Sequence, residues 1–216
     1  MSDKHYTSRN HIQLQIIDEQ AMTELGAQLA GLAVAGIIIY LDGDLGAGKT
    51  TLVRGFLRAL GYQGAVKSPT FTVVEPYSLD YNNIYDYNKL QQGLKPEDNI
   101  DSGGIESDKV VNGETVNSVG HEDSKPHTQK IYHFDLYRLE DPEELEYLGI
   151  RDYLDGQAIA LIEWPEKGAG ILPEADLIIK ITHQEQGRGV ELLSQTTHGA
   201  VIVSKLISDT TRQVDV

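Results

Sequence analysis

The sequence predicts an α/β fold: a sheet with a parallel core, antiparallel edge strands and flanking helices. Three observations predict it. Apolar, β-branched runs at Gly36–Leu41, Lys130–Leu139 and Ala158–Ile162 alternate with segments of helical spacing, the order expected of parallel strands joined by helical crossovers. Ala175–Thr182 and Gly189–Gln195 follow one another with alternating patterns and a short link, which suits an antiparallel edge. Between the first apolar run and the helix after it lies a glycine-rich loop, Gly43–Thr51, that fits G-x-x-x-x-G-K-[ST].

That loop narrows the class to a P-loop NTPase-like sheet, because it has the strand before it and the helix after it that a phosphate loop requires. Gly36–Leu41 is the strand. Leu52, Val53, Phe56, Leu57 and Leu60 recur at helical spacing, and Gly61 stops the helix. The expected nucleotide-binding residues are therefore Gly43, Asp44, Leu45, Gly46, Ala47, Gly48, Lys49, Thr50 and Thr51. Backbone N–H groups of such a loop and the positive end of its helix cradle phosphate oxygens. Lys49 supplies a point charge for the β- and γ-phosphates. The Thr50 hydroxyl is a hard oxygen ligand of the kind Mg²⁺ takes.

The other elements follow in order. Ile12–Ile17 alternates weakly and reads as a short strand, and Asp18 caps a helix with Met22, Leu25, Leu29 and Leu32 on one face. After the loop helix, Ser68-Pro69 marks a rigid bend, and Thr70–Val74 reads as strand. From about Ser78 to Lys130 the composition shifts to Asp, Asn, Gly, Ser, Glu and Lys with no apolar period, which predicts a flexible acidic insertion in an otherwise single domain over 1–216. Lys130–Leu139 restores a strand. Asp141 caps the next helix, with Pro142 at its first position and acids in its first turn, and Arg151–Leu154 is a second short helix. Ala158–Pro165 is a buried strand with an acid near its end, and Ala200–Ile207 is a last strand or helix.

Composition limits the function. The chain has 216 residues and a formal net charge of −15, with no basic cluster, so it does not wrap a nucleic-acid backbone over a large face; contact with RNA would fall to a partner. It has no cysteine, which excludes disulfides and thiolate metal sites. The polar start, Met1–Asn10, is not that of a signal peptide, and the longest apolar run is too short and glycine-broken to span a membrane, so the expected location is cytoplasmic.

Asp135 and Glu163 fall at or near the ends of apolar strands, where ligands of open α/β sheets sit. Carboxylates there hold Mg²⁺ or orient an attacking water, so both are candidate catalytic and metal residues together with Thr50. Thr70, after its rigid bend, is a candidate switch residue whose hydroxyl reaches metal or γ-phosphate in one state and leaves in another. Trp164 either packs beside the site or caps the core.

With these residues in hand, the chain resembles the TsaE (YjeE) family. The resemblance rests on Gly43–Thr51, Ser68-Pro69-Thr70 with Glu75-Pro76-Tyr77, His133–Arg138, Asp141–Leu145, Gly149–Tyr153 and Glu163-Trp164-Pro165, in the family's order over nearly the whole chain outside the insertion. It implies a Mg²⁺-dependent ATPase supporting N6-threonylcarbamoyladenosine formation in tRNA. The implied partners are TsaB-like and TsaD-like proteins, with tRNA met indirectly through them, and hydrolysis would support repeated turnover. It further implies the switch role for Thr70, the magnesium and hydrolytic roles for Asp135 and Glu163, and a place beside the nucleotide for the segment Asp18–Gln20 and for Arg188. A small-molecule or nucleotide kinase is the alternative; such enzymes bring lid arginines onto the transferring phosphate, and arginines here are few and scattered.

Overall fold

The computed structural model describes residues 11–80 and 128–212. The chain enters on β1 (His11–Ile16), runs through α1 (Glu19–Leu32) to β2 (Ile38–Asp42), and continues into α2 (Lys49–Ala59). Then come β3 (Val74–Asp80), β4 (Thr128–Asp135), two single-turn helices α3 (Glu144–Tyr147) and α4 (Ile150–Tyr153), and β5 (Ile159–Glu163). β6 (Leu177–His183), β7 (Arg188–Ser194) and α5 (Thr197–Arg212) complete it. The strands form one sheet in the order β1-β7-β6-β2-β5-β4-β3.

Strands β4, β5, β2 and β6 pair in parallel, and β3, β7 and β1 add antiparallel edges. The sequence pattern follows from position in the sheet. Every residue of β5 is buried, as expected of a parallel strand covered on both faces, so it reads as a continuous apolar run. β1 at the far edge alternates exposed with partly buried residues. One face packs against α1, α2 and α5 through Leu29, Phe56, Leu57 and Ile202. The other packs against α3 and α4 through Phe134, Ile162, Leu145 and Ile150.

Two expectations change. Thr70–Val74 is not a strand: the N–H groups of Thr72 and Val73 both bond back to the Pro69 carbonyl, at 3.1 and 2.7 Å, so the bend carries on into a turn and β3 starts only at Val74. The boundary of the insertion also moves. The antiparallel ladder of β3 with β4 continues to the pair Asp80 and Thr128, because Tyr77, Leu79 and Ile131 still have a core to enter. The rest of the predicted insertion lies outside the described residues. The last segment is helical, with Ile202, Val203 and Leu206 buried on one side and Ser204 and Lys205 exposed. The turn leading into short α3 is tied reciprocally: Asp141 Oδ1 accepts from the Glu143 N–H at 2.9 Å, and Glu144 Oε1 accepts from the Asp141 N–H at 2.9 Å.

α1 and α2 touch backbone to backbone. A Cβ on Gly26 would meet the Leu52 carbonyl, and one on Gly55 would meet the Thr23 carbonyl. The absence of both side chains lets α1 press α2, and with it Lys49 and Thr50, against the sheet. Gly26→Ala is expected to destabilise the protein by about 1–3 kcal/mol through overpacking, read as a lower urea midpoint at unchanged slope. An unchanged midpoint would show that the helices have slack at this crossing.

Candidate nucleotide site

Three parallel strands end side by side. Leu41 on β2 lies opposite Glu163 on β5, and Glu163 opposite Asp135 on β4. The loop after β2 and the two carboxylates therefore meet outside the carboxyl ends of the strands. His133, Asp135 and Glu163 fall on the sheet face that carries α2, because residues two apart on a strand share a face with Ile131 and Leu161. Both acids are buried, at 4% and 3% exposure.

The loop curls as the pattern requires. Gly43 and Gly48 have φ of 150° and 115°, and a Cβ on Gly43 would run into the Ile181 carbonyl. Lys49 folds back over the loop. Its Nζ donates to the carbonyls of Gly43 and Asp44, the latter at 3.0 Å, and stands 4.0 Å from the centre of the Trp164 ring. Burial pulls this ammonium below the usual lysine range, against the opposing charges of Glu163, Asp135, Glu166 and Asp42.

The remaining polar groups pair with one another. Thr50 Oγ1 donates to Glu163 Oε1 at 2.9 Å. Asp135 Oδ2 accepts from Ser68 Oγ and from Thr70 Oγ1, the second at 2.6 Å, and its Oδ1 accepts from the Tyr137 N–H at 3.0 Å. Two non-glycine residues among those described lie in the left-handed region, Val73 (φ 66°) and Trp164 (φ 59°). Such backbone costs on the order of 1–3 kcal/mol each. Val73 ends the segment that carries Thr70, and Trp164 follows Glu163 and turns its ring to Lys49.

The loop separates two cavities. One, of about 360 Å³, is bounded by Ile16–Glu19, Met22, Gly187, Arg188 and the outer side of the loop. The other, of about 330 Å³, is bounded by Ser68, Thr70, Asp135, Tyr137, Arg138, Glu163, Trp164 and residues 45–51. A nucleotide whose phosphates lie in the loop has room for its base and sugar on the first side and its last phosphate on the second. Among the described residues no three His, Cys, Asp or Glu side chains form a metal cage. In the second cavity the carboxylates of Asp135 and Glu163 and the hydroxyls of Thr50, Ser68 and Thr70 supply hard oxygen ligands, which fit a Mg²⁺ completed by substrate phosphates.

The sequence-derived residues are thus brought together, with two qualifications of detail. Arg188 reaches the loop and donates to backbone there: Nε to the Ala47 carbonyl at 3.1 Å, Nη2 to Gly46 at 3.2 Å and Nη1 to Gly187 at 2.8 Å, three of its five N–H donors. Asp18 and Glu19 line the first cavity, with Asp18 Oδ1 also capping α1 at the Ala21 N–H; Gln20 instead donates to Glu24. Sequence reasoning gave no role to Ser68 or to His133, whose Nε2 lies 2.9 Å from Glu163 Oε1. The signal for His133 was its place two residues before Asp135 on the same strand.

Comparison with known proteins gives the family and the fold. The family described as "Threonylcarbamoyl adenosine biosynthesis protein TsaE" matches residues 16–107 and 100–190. The chain belongs to the TsaE family. The two TsaE matches meet within the acidic stretch, where an insertion would divide the family's pattern. The chain is similar to the tRNA threonylcarbamoyladenosine biosynthesis protein TsaE of Haemophilus influenzae, with 41% identity over 88% of this chain and 93% of that protein. It is similar to the TsaE of Synechocystis, with 33% identity over 74% of each. Its fold is that of Bacillus subtilis YdiB, with a TM-score of 0.60 at 21% identity, over 93% of this chain and 96% of that one. No helix among the described residues is long and apolar enough to cross a membrane.

Trp164 is the single tryptophan of the chain, so its contact with Lys49 is a built-in reporter. Lys49→Ala is expected to change Trp164 emission without ligand and to abolish any response to ATP. A retained ATP response in Lys49→Ala would contradict the assignment of the loop.

Proposed function

We propose that this chain is a Mg²⁺-dependent ATPase supporting N6-threonylcarbamoyladenosine formation in tRNA, acting with TsaB-like and TsaD-like partners, with hydrolysis resetting the complex for turnover. The observation that carries the reading is the contact of Glu163 with Thr50: a strand-end carboxylate lies against the hydroxyl that opens the phosphate-loop helix. The names of the relatives supply the tRNA modification. The charge of −15 supports leaving RNA contact to a partner.

Bound Mg²⁺, held through Thr50, Asp135 and Glu163, would neutralise charge on the phosphate oxygens. The chain's own residues do the rest. Lys49 trades two backbone carbonyls for phosphate oxygens, with loop N–H groups and the start of α2 closing around them. Thr70 exchanges its bond to Asp135 for the nucleotide side of the cavity, which makes residues 68–73 responsive to the last phosphate. Glu163 directs its second oxygen, Oε2, at the attacking water and holds that water in line.

Glu163→Ala is expected to keep ATP binding, since the loop and Lys49 supply most contacts, while hydrolysis falls by about 10²–10³-fold. With TsaB-like and TsaD-like proteins and tRNA reconstituted, it should support about one round of modification and then stall. Hydrolysis at the wild-type rate would reduce Glu163 to a strand-end acid and remove the proposal's chemical centre.

A further inference from the structure

We infer that His133 is a positioning residue that fixes the Glu163 carboxylate, an inference that rests on the ATPase reading above. His133 lies on β4 with no exposed surface, beside the apolar Ile131 and Leu161 face of the sheet. An imidazole buried there costs stability that an aliphatic side chain would not, so the core gives no reason for it. Its two nitrogens are treated unequally. Nε2 lies 2.9 Å from Glu163 Oε1, and Nδ1 is buried with no partner among the described residues. A proton on Nδ1 would leave a buried N–H unpaired and set the Nε2 lone pair against a carboxylate oxygen. A proton on Nε2 avoids both, leaving a bare lone pair as the lesser cost. The ring is therefore the Nε2–H tautomer, donating to Glu163.

The consequence concerns the carboxylate. Oε1 accepts two bonds, from Thr50 and from His133, and Oε2 has no partner among the described residues. The terminal torsion of a glutamate is broad, so a single donor would let the two oxygens exchange. The Thr50 bond is given up when that hydroxyl turns to metal. The His133 bond comes from inside the sheet and persists, holding Oε2 toward the cavity before and after the nucleotide arrives.

The test compares His133→Gln with His133→Asn in the full chain. Both bury an amide, but Gln reaches the Nε2 position and Asn only the Nδ1 position. We expect His133→Gln to hydrolyse ATP close to the wild-type rate and His133→Asn to be about 10–100-fold slower. ATP affinity, read by Trp164 fluorescence, should be the same in both. Imidazole ¹H–¹⁵N correlation on the wild type gives a second readout that needs no turnover. It should show the proton on Nε2 of His133, identified by its loss in His133→Gln, and Glu163→Ala should shift that signal. Equal rates in the two variants, a proton on Nδ1, or a signal indifferent to Glu163→Ala would overturn the inference. Glu163→Ala assayed in parallel separates the levels. If it loses hydrolysis while His133→Asn keeps it, only the role of His133 falls; if it hydrolyses normally, the ATPase reading falls too.

Discussion

The parallel register of β2, β5 and β4 is the constraint on which the site depends. Leu41, Glu163 and Asp135 stand in one row across three strand ends, and a slip of one residue would turn either acid to the opposite face. Register is held because a one-residue slip would turn Glu163, the one charged residue of β5, into the apolar face that carries Ile162 and Phe134. The same row places the phosphate loop beside the acids, since the loop begins where β2 ends. The glycine contact between α1 and α2 completes the arrangement by bringing the start of α2, with Thr50, down onto Glu163.

Within that frame the polar groups satisfy one another. Lys49 is held by loop carbonyls and an indole, Thr50 by Glu163, and Ser68 and Thr70 by Asp135. Buried charges without partners are costly, so a site that waits for a charged ligand needs internal substitutes. Each substitute bond has a charged member and contributes about 1.5–3 kcal/mol net, which a triphosphate and its metal would offset with charged bonds of their own. The left-handed backbone at Val73 ends the segment that carries Thr70, and that at Trp164 follows Glu163 directly.

Most of this was legible in the sequence. The loop pattern with its strand and helix located the candidate phosphate loop, and apolar runs ending in acids picked out Asp135 and Glu163, which the fold brings beside it. What misled was local. Thr70–Val74 has strand-forming residues, but the bend at Pro69 takes their N–H groups into a turn, which propensity alone does not report. Composition set the edge of the insertion at Ser78 and Lys130, whereas cross-strand pairing carries Leu79 and Gln129 into the ladder. His133 lies in the motif His133–Arg138 that carries the resemblance, but its own role was not legible, because it comes from a neighbour thirty residues away on the next strand. Arg188 was placed near the nucleotide, but only the fold shows its guanidinium bonded to the backbone of the loop.

The central claim is that the acids at the strand ends and the phosphate loop form one magnesium-nucleotide site. The direct measurement is calorimetric titration of ATP, with and without Mg²⁺, into the wild-type protein and Asp135→Ala. The account predicts that the wild type binds ATP in both conditions and binds it more tightly with Mg²⁺, and that Asp135→Ala retains binding but loses the gain from the metal. An undiminished gain from Mg²⁺ in Asp135→Ala, or no ATP binding by the wild type, would contradict it.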